Sequence, residues 1–189
     1  VTLVGRALHH FTTGMSTVEI SAINHQKLLT EFKKYYQNSR AGNHGMYQTY
    51  LMTSSSAHKI KAITDLLKKN NIQYGTYTGN TGIKAFDYHT KSEGSFINEG
   101  YTIAVAAAQA HGVLASVLLD PITQVNDSNT YDITAWSLPY AFGVHGFASK
   151  EKLAHSNEFN LPTYTIASTN YGYLIPYHSF STADRKSVV

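Results

Sequence analysis

Between residues 47 and 77 the hydrophobic period of the chain changes twice, and few folds accommodate that. Residues 47–53 alternate and carry Tyr47 and Tyr50, which predicts a strand. Ser54-Ser55-Ser56 follows and supplies an N-cap. Ile60, Ile63 and Leu67 then form a single stripe at helical spacing, ending near Asn70-Asn71. Residues 72–77 return to a short strand. A one-faced helix between two strands has to bury its stripe against a sheet. The expected fold class is therefore α/β, a mixed sheet with flanking helices.

The remaining segments extend this layer. Ser16-Thr17-Val18-Glu19 has capping-box spacing, and Val18, Ala22, Leu28, Leu29, Phe32 and Tyr36 recur near helical period. A helix over about residues 17–38 is predicted, closed by a turn at Arg40-Ala41-Gly42-Asn43-His44-Gly45. Residues 79–100 are rich in Gly, Thr, Asn and Ser and read as irregular, with a short strand at 83–88. Residues 101–105 read as a buried strand and 109–119 as a helix ending at Asp120-Pro121. Residues 122–129 read as loop and 131–136 as a helical turn stopped by Leu138-Pro139. Strands are predicted at 144–148, 163–167 and 171–175.

Composition narrows the function classes. With 42% hydrophobic and 14% charged residues, the chain can bury a core. A net charge of +3, with lysines and arginines scattered, gives no basic surface for nucleic acid. No apolar run reaches the length of a membrane span. Cysteine is absent, which excludes disulfides and thiolate chemistry. The fourteen tyrosines suit a half-buried surface, or a platform for peptide or sugar.

The segment Thr130-Tyr131-Asp132-Ile133-Thr134-Ala135-Trp136-Ser137-Leu138-Pro139-Tyr140-Ala141-Phe142-Gly143 holds the only tryptophan and a single charge. With Gly112-Val113-Leu114-Ala115-Ser116-Val117-Leu118-Leu119-Asp120-Pro121 and His10-Phe11-Thr12-Thr13-Gly14-Met15-Ser16-Thr17-Val18-Glu19, it resembles a region of large bacterial proteins, of the Bacteroidetes type. These belong to the carboxypeptidase-A-like zinc peptidase family, and the region lies C-terminal to their catalytic domain. The likeness runs from about Leu8 to Ser179. It implies a non-catalytic accessory domain that packs beside, or shapes access to, a catalytic peptidase domain of the same polypeptide. It also implies a secreted or periplasmic parent, whose zinc sits in that catalytic domain and not in this chain. Residues 1–15 would then end a preceding domain or linker, 16–170 form the accessory domain, and 171–189 begin a following α/β unit. The echo between Tyr50-Leu51-Met52 and Tyr173-Leu174-Ile175, each followed by serines, fits that last boundary. Trp136, Tyr131, Asp132 and Tyr140 are the candidate interface or ligand residues. The alternative is a tyrosine-rich module that binds peptide or carbohydrate.

Other spacings in the chain match motifs that carry chemistry elsewhere. His155-Ser156-Asn157-Glu158 has the bare His-x-x-Glu spacing of the family's zinc motif, and His178 follows. The pair lies in a polar stretch with no strand before it, so a solvated loop is expected instead. His9-His10 and the single histidines His25, His44, His58, His89, His111 and His145 are expected at the surface or in hydrogen bonds. Ser56 and Lys59 have Ser-x-x-Lys spacing at a helix start, without the partner motifs of penicillin-interacting enzymes. Ser56 as an N-cap accounts for them.

Overall fold

The computed structural model describes residues 2–122, 137–156 and 158–160. Its centre is β1 (Thr49–Ser54), buried at all positions because a strand packs on each side of it and material covers both faces. The other strands are β2 (Gly75–Thr76), β3 (Lys84–Asp87), β4 (Ser92–Ser95), β5 (Tyr101–Ala106) and β6 (His145–Ser149). They form one sheet in the order β2-β5-β1-β6-β3-β4, and every neighbouring pair is antiparallel. Since β1 and β2 both run against β5, they point the same way. The predicted strand–helix–strand unit is thus a crossover with β5 inserted between its two strands.

Side chains alternate across β1 and sort the core into two layers. Tyr50 and Met52 face α3 (Ala57–Lys69) and α4 (Gly112–Leu119), packing with Ile60, Ile63, Leu67, Ala115 and Leu119. Leu51 faces the other way, with Ala85, Phe96, Ala104 and Phe147. The stripe read from the sequence is the buried face of α3, and each of its side chains contributes about 1.5–3 kcal/mol through burial. Among the described tyrosines, Tyr50, Tyr77 and Tyr88 join the core, while Tyr36, Tyr47, Tyr74 and Tyr101 are half-buried as expected. Tyr50 and Tyr88 are each 1% exposed, and rings connect in series from Tyr47 through Phe86 and Tyr88 to Tyr140. The Tyr50 hydroxyl donates to Asp120 Oδ1 at 2.5 Å and shares a 3.0 Å hydrogen bond with Ser116 Oγ. Tyr88 donates to the Leu119 carbonyl.

The N-terminal helix differs from expectation. Helix starts at Leu3, not near residue 17, and runs as α1 (Leu3–Ile23) and α2 (His25–Ala41) with one interruption at Asn24. Thr2 is the N-cap, accepting from the Gly5 amide at 3.1 Å. Ser16 and Glu19 lie inside α1. A capping box works only where the preceding residues leave the helix, and here they do not. The Thr13 and Thr17 hydroxyls instead donate to the carbonyls four residues back, at 2.9 and 2.8 Å. The helical ladder crosses Asn24, from its amide to the Ile20 carbonyl and from the Leu28 amide to its own carbonyl, each at 3.0 Å. At about 1.5 Å per residue, α1 and α2 make an arm roughly 58 Å long.

That arm buries only Ser39. Ser39 ties it to the body: its Oγ donates to the Gln109 carbonyl at 2.8 Å and accepts from the Gly112 amide at 3.0 Å. A side chain of α2 thereby caps the start of α4, whose own cap residue His111 makes no such bond. Gly42 ends α2 in the left-handed region at φ 76°, and its amide reaches the Asn38 and Ser39 carbonyls. Along the arm, Val4, Leu8, Phe11, Met15, Val18, Ala22, His25, Leu29, Phe32 and Tyr36 recur in alternating steps of four and three. This is the spacing of a coiled-coil seam, and its side chains are exposed: Leu8, Phe11, Val18, Leu29 and Phe32 are all more than 60% exposed.

Three shorter elements also depart from the reading. The strand at 72–77 shortens to β2. The irregular stretch 79–100 contains β4, paired with β3 through a turn that begins at Tyr88. Leu138-Pro139 begins a helix: α5 (Leu138–Phe142) carries its proline in the first turn, where the missing amide has no carbonyl to serve. The predicted loop after Ile122, the turn at 131–136, the strands at 163–167 and 171–175, and the Tyr173 echo lie outside the described residues.

Candidate functional site

The face of the sheet opposite the helices carries a charged cluster built on β3 and β6. His145 opens β6 and pairs across from Thr53 of β1. Asp87 closes β3 opposite Phe147. A period of two puts His145 and Phe147 on one face, and their rings stack at 4.2 Å. Gly146, between them, leaves room for its neighbours: a Cβ there would stand 2.7 Å from the Tyr88 ring and 2.9 Å from Pro139.

His145 is 8% exposed and bridges two carboxylates. Its Nε2 lies 2.8 Å from Asp87 Oδ1 and its Nδ1 lies 2.8 Å from Glu99 Oε1. The same Asp87 oxygen accepts the His89 amide at 2.8 Å and the Thr90 amide at 3.4 Å, so it also shapes the β3–β4 turn. That turn brings His89 over His145, with ring centroids 4.0 Å apart. Glu99 is fixed by its amide, which donates to Thr53 Oγ1 at 3.0 Å, while the Thr102 hydroxyl donates to the same atom at 2.8 Å. Burial pushes the Asp87 carboxyl up. Hydrogen bonds from His145 and the His89 and Thr90 amides outweigh it and hold the group below the ordinary carboxylate range.

The ligand atoms of Asp87, His89 and His145 all lie within 4.8 Å of one another. Among the described residues this is the group whose donors converge as a metal site requires. The sequence reading did not join them. His89 and His145 were taken singly, and Asp87 was not singled out. One signal was present: Asp87 and His89 stand two apart at a strand end, the spacing that can put both on one face.

The residues chosen from sequence are distributed differently. Tyr131, Asp132 and Trp136 lie outside the described residues. Tyr140 is 42% exposed, and its hydroxyl donates to the Tyr88 carbonyl at 2.8 Å. Burial raises its phenol, with the Asp87 charge adding to the effect. Tyr140 thus borders the cluster from α5. His155 and Glu158 run beside β2: the Thr76 amide donates to the Glu158 carbonyl at 3.1 Å and the Ser156 amide to the Thr76 carbonyl at 3.0 Å. His178 is outside the described residues. Ser56 stands at the N-cap of α3 without a side-chain cap bond; the Ser54 hydroxyl accepts the Ser56 amide instead, at 3.1 Å. Lys59 donates to the Gly143 carbonyl at 2.9 Å, closing the end of α5.

A separate groove follows the β2–β5 edge, lined by Ile72, Tyr74, Gln109, His155 and Phe159. Gln109 organises it by imitating a strand: its side-chain amide accepts from the Gln73 amide at 2.6 Å and donates to the Gln73 carbonyl at 3.0 Å. Tyr74 is the one tyrosine in that lining. Among the described residues, no helix is long and apolar enough to cross a membrane. No protein-family model, curated protein or solved structure matches the chain.

Proposed function

We propose that this chain is a non-catalytic accessory domain, packing beside the catalytic domain of a secreted or periplasmic, carboxypeptidase-like zinc metallopeptidase on the same polypeptide. The observation that carries the reading is the arm. Most helical stability in proteins comes from packing an apolar face, yet α1 and α2 leave a seam of large side chains bare from Val4 to Tyr36. Such a surface is built to be covered. The resemblance of the 130–143 segment and its flanks supplies the partner, a peptidase domain that precedes this region in similar proteins. Burial of Tyr50, Tyr77 and Tyr88 favours this reading over a tyrosine-lined binding platform. In it, the peptidase zinc and the hydrolytic residues belong to the partner domain, and this chain contributes support and shape.

The coding sequence upstream of Val1 provides the test. A peptidase domain with His-x-x-Glu and a distant second histidine is expected there, in frame. When co-expressed, that domain should co-purify with the 189-residue chain and lose the association on Phe11→Asp combined with Val18→Asp. An upstream region without such a domain, or association indifferent to the seam, overturns the proposal.

A further inference from the structure

We propose that Asp87, His89 and His145 form a binding site for a divalent first-row transition metal, with Glu99 as the hydrogen-bond partner that orients His145. The sequence gives the expectation of a metal-free chain, because it has no cysteine and its His155 and Glu158 lie in a polar stretch. The fold brings two other histidines together across 56 residues of chain, from His89 to His145.

The placement of His145 between two carboxylates is the first argument. Both of its ring nitrogens face carboxylate oxygens at 2.8 Å. A neutral imidazole has one N–H and cannot donate to both. A divalent cation held between Nε2 and Asp87 leaves the Nδ1–H for Glu99, so that both ring nitrogens are satisfied. His145 is then neutral and donates Nδ1–H to Glu99, and the cation balances the charges of Asp87 and Glu99. A ligating histidine whose other nitrogen is held by a carboxylate is a recurrent metal-site arrangement.

Geometry and donor type agree. Around tetrahedral zinc, ligand atoms stand about 3.3 Å apart. Asp87 Oδ1 and His145 Nε2, at 2.8 Å, would open by about half an ångström. The widest separation in the group, at most 4.8 Å, would close through His89. His89 is exposed on the β3–β4 turn and has room to rotate, whereas Asp87 and His145 are buried on adjacent strands. Two imidazole nitrogens and one carboxylate suit zinc and its neighbours over magnesium or calcium, which prefer oxygen. Three protein ligands also leave a coordination position for water or another small donor.

Zinc chloride titrated calorimetrically into the chelator-treated, tag-free 189-residue chain tests this. One zinc per chain is expected. His89→Ala, at an exposed turn position, should keep the circular dichroism of the parent and weaken binding at least 100-fold. Glu99→Gln should weaken it 10- to 100-fold. Combined His9→Ala and His10→Ala should leave it unchanged. Cobalt substituted for zinc should give visible absorption that His89→Ala abolishes. Stoichiometry well below one overturns the proposal. So does binding that survives both His89→Ala and Asp87→Asn, since the zinc would then be adventitious.

Discussion

Asp120 caps α4 at the edge of the helix-side core, where a charge is poorly solvated. Burial pushes its carboxyl up, by more than the Tyr50 hydrogen bond and nearby His44 pull it down. The folded chain therefore holds this proton to higher pH than the unfolded chain, whose carboxyl titrates near about 3.9. The stabilisation from that proton is complete below the unfolded value and is lost as pH rises through the folded one. At neutral pH the ionised group opposes the fold. Asp120→Asn keeps an oxygen for the Tyr50 hydroxyl and removes the charge. It should melt at or above the parent at pH 7, with the difference shrinking toward pH 3.5; thermal melts at the two pH values check both halves. At this scale the sequence was legible only for local roles. Asp120-Pro121 marks a helix end in any context, whereas the pairing of Asp120 with Tyr50 spans 70 residues and leaves no local trace.

Among the elements, α3 and α1 carry similar apolar residues with opposite consequences. Leu67 is fully buried between α3 and the sheet, so Leu67→Ala should lose about 2–5 kcal/mol in urea unfolding. Leu8 is 61% exposed on α1, and in chain dilute enough to be monomeric Leu8→Ala should change stability by no more than about 0.5 kcal/mol. The seam should show itself in association instead. The isolated chain is expected to run larger than a monomer by light scattering, and Phe11→Glu with Phe32→Glu should return it to monomer mass. The α3 stripe could be read because one helix face meets one sheet face, and burial wrote that contact into the spacing. The start of the arm could not. Ser16 and Glu19 satisfy a local capping rule, but the residues before them, Leu3 to Met15, are themselves compatible with helix. A short motif cannot report what its flanks do. The four–three spacing of the seam looks like ordinary helical period until the structure shows that, among the described residues, nothing covers it.

For the molecule as a whole, the α/β class followed from the changes of period between residues 47 and 77, and the helices do flank one sheet. Strand order did not follow. The insertion of β5 between β1 and β2, and the meeting of β3 with β6, depend on pairings between segments far apart in sequence. The candidate metal cluster stayed hidden for the same reason, since it exists only where those two strands lie side by side. The central position of β1 also sets a schedule for the chain's birth. Thr49 emerges from the ribosome 96 residues ahead of His145. At about 5–20 residues per second, that is roughly 5–20 s. Throughout that interval the central strand, buried at every position in the finished sheet, has one edge without its final neighbour and part of each face uncovered. Slow translation here would prolong the nascent chain's need for a chaperone, and β6, the strand that ends the wait, also delivers His145.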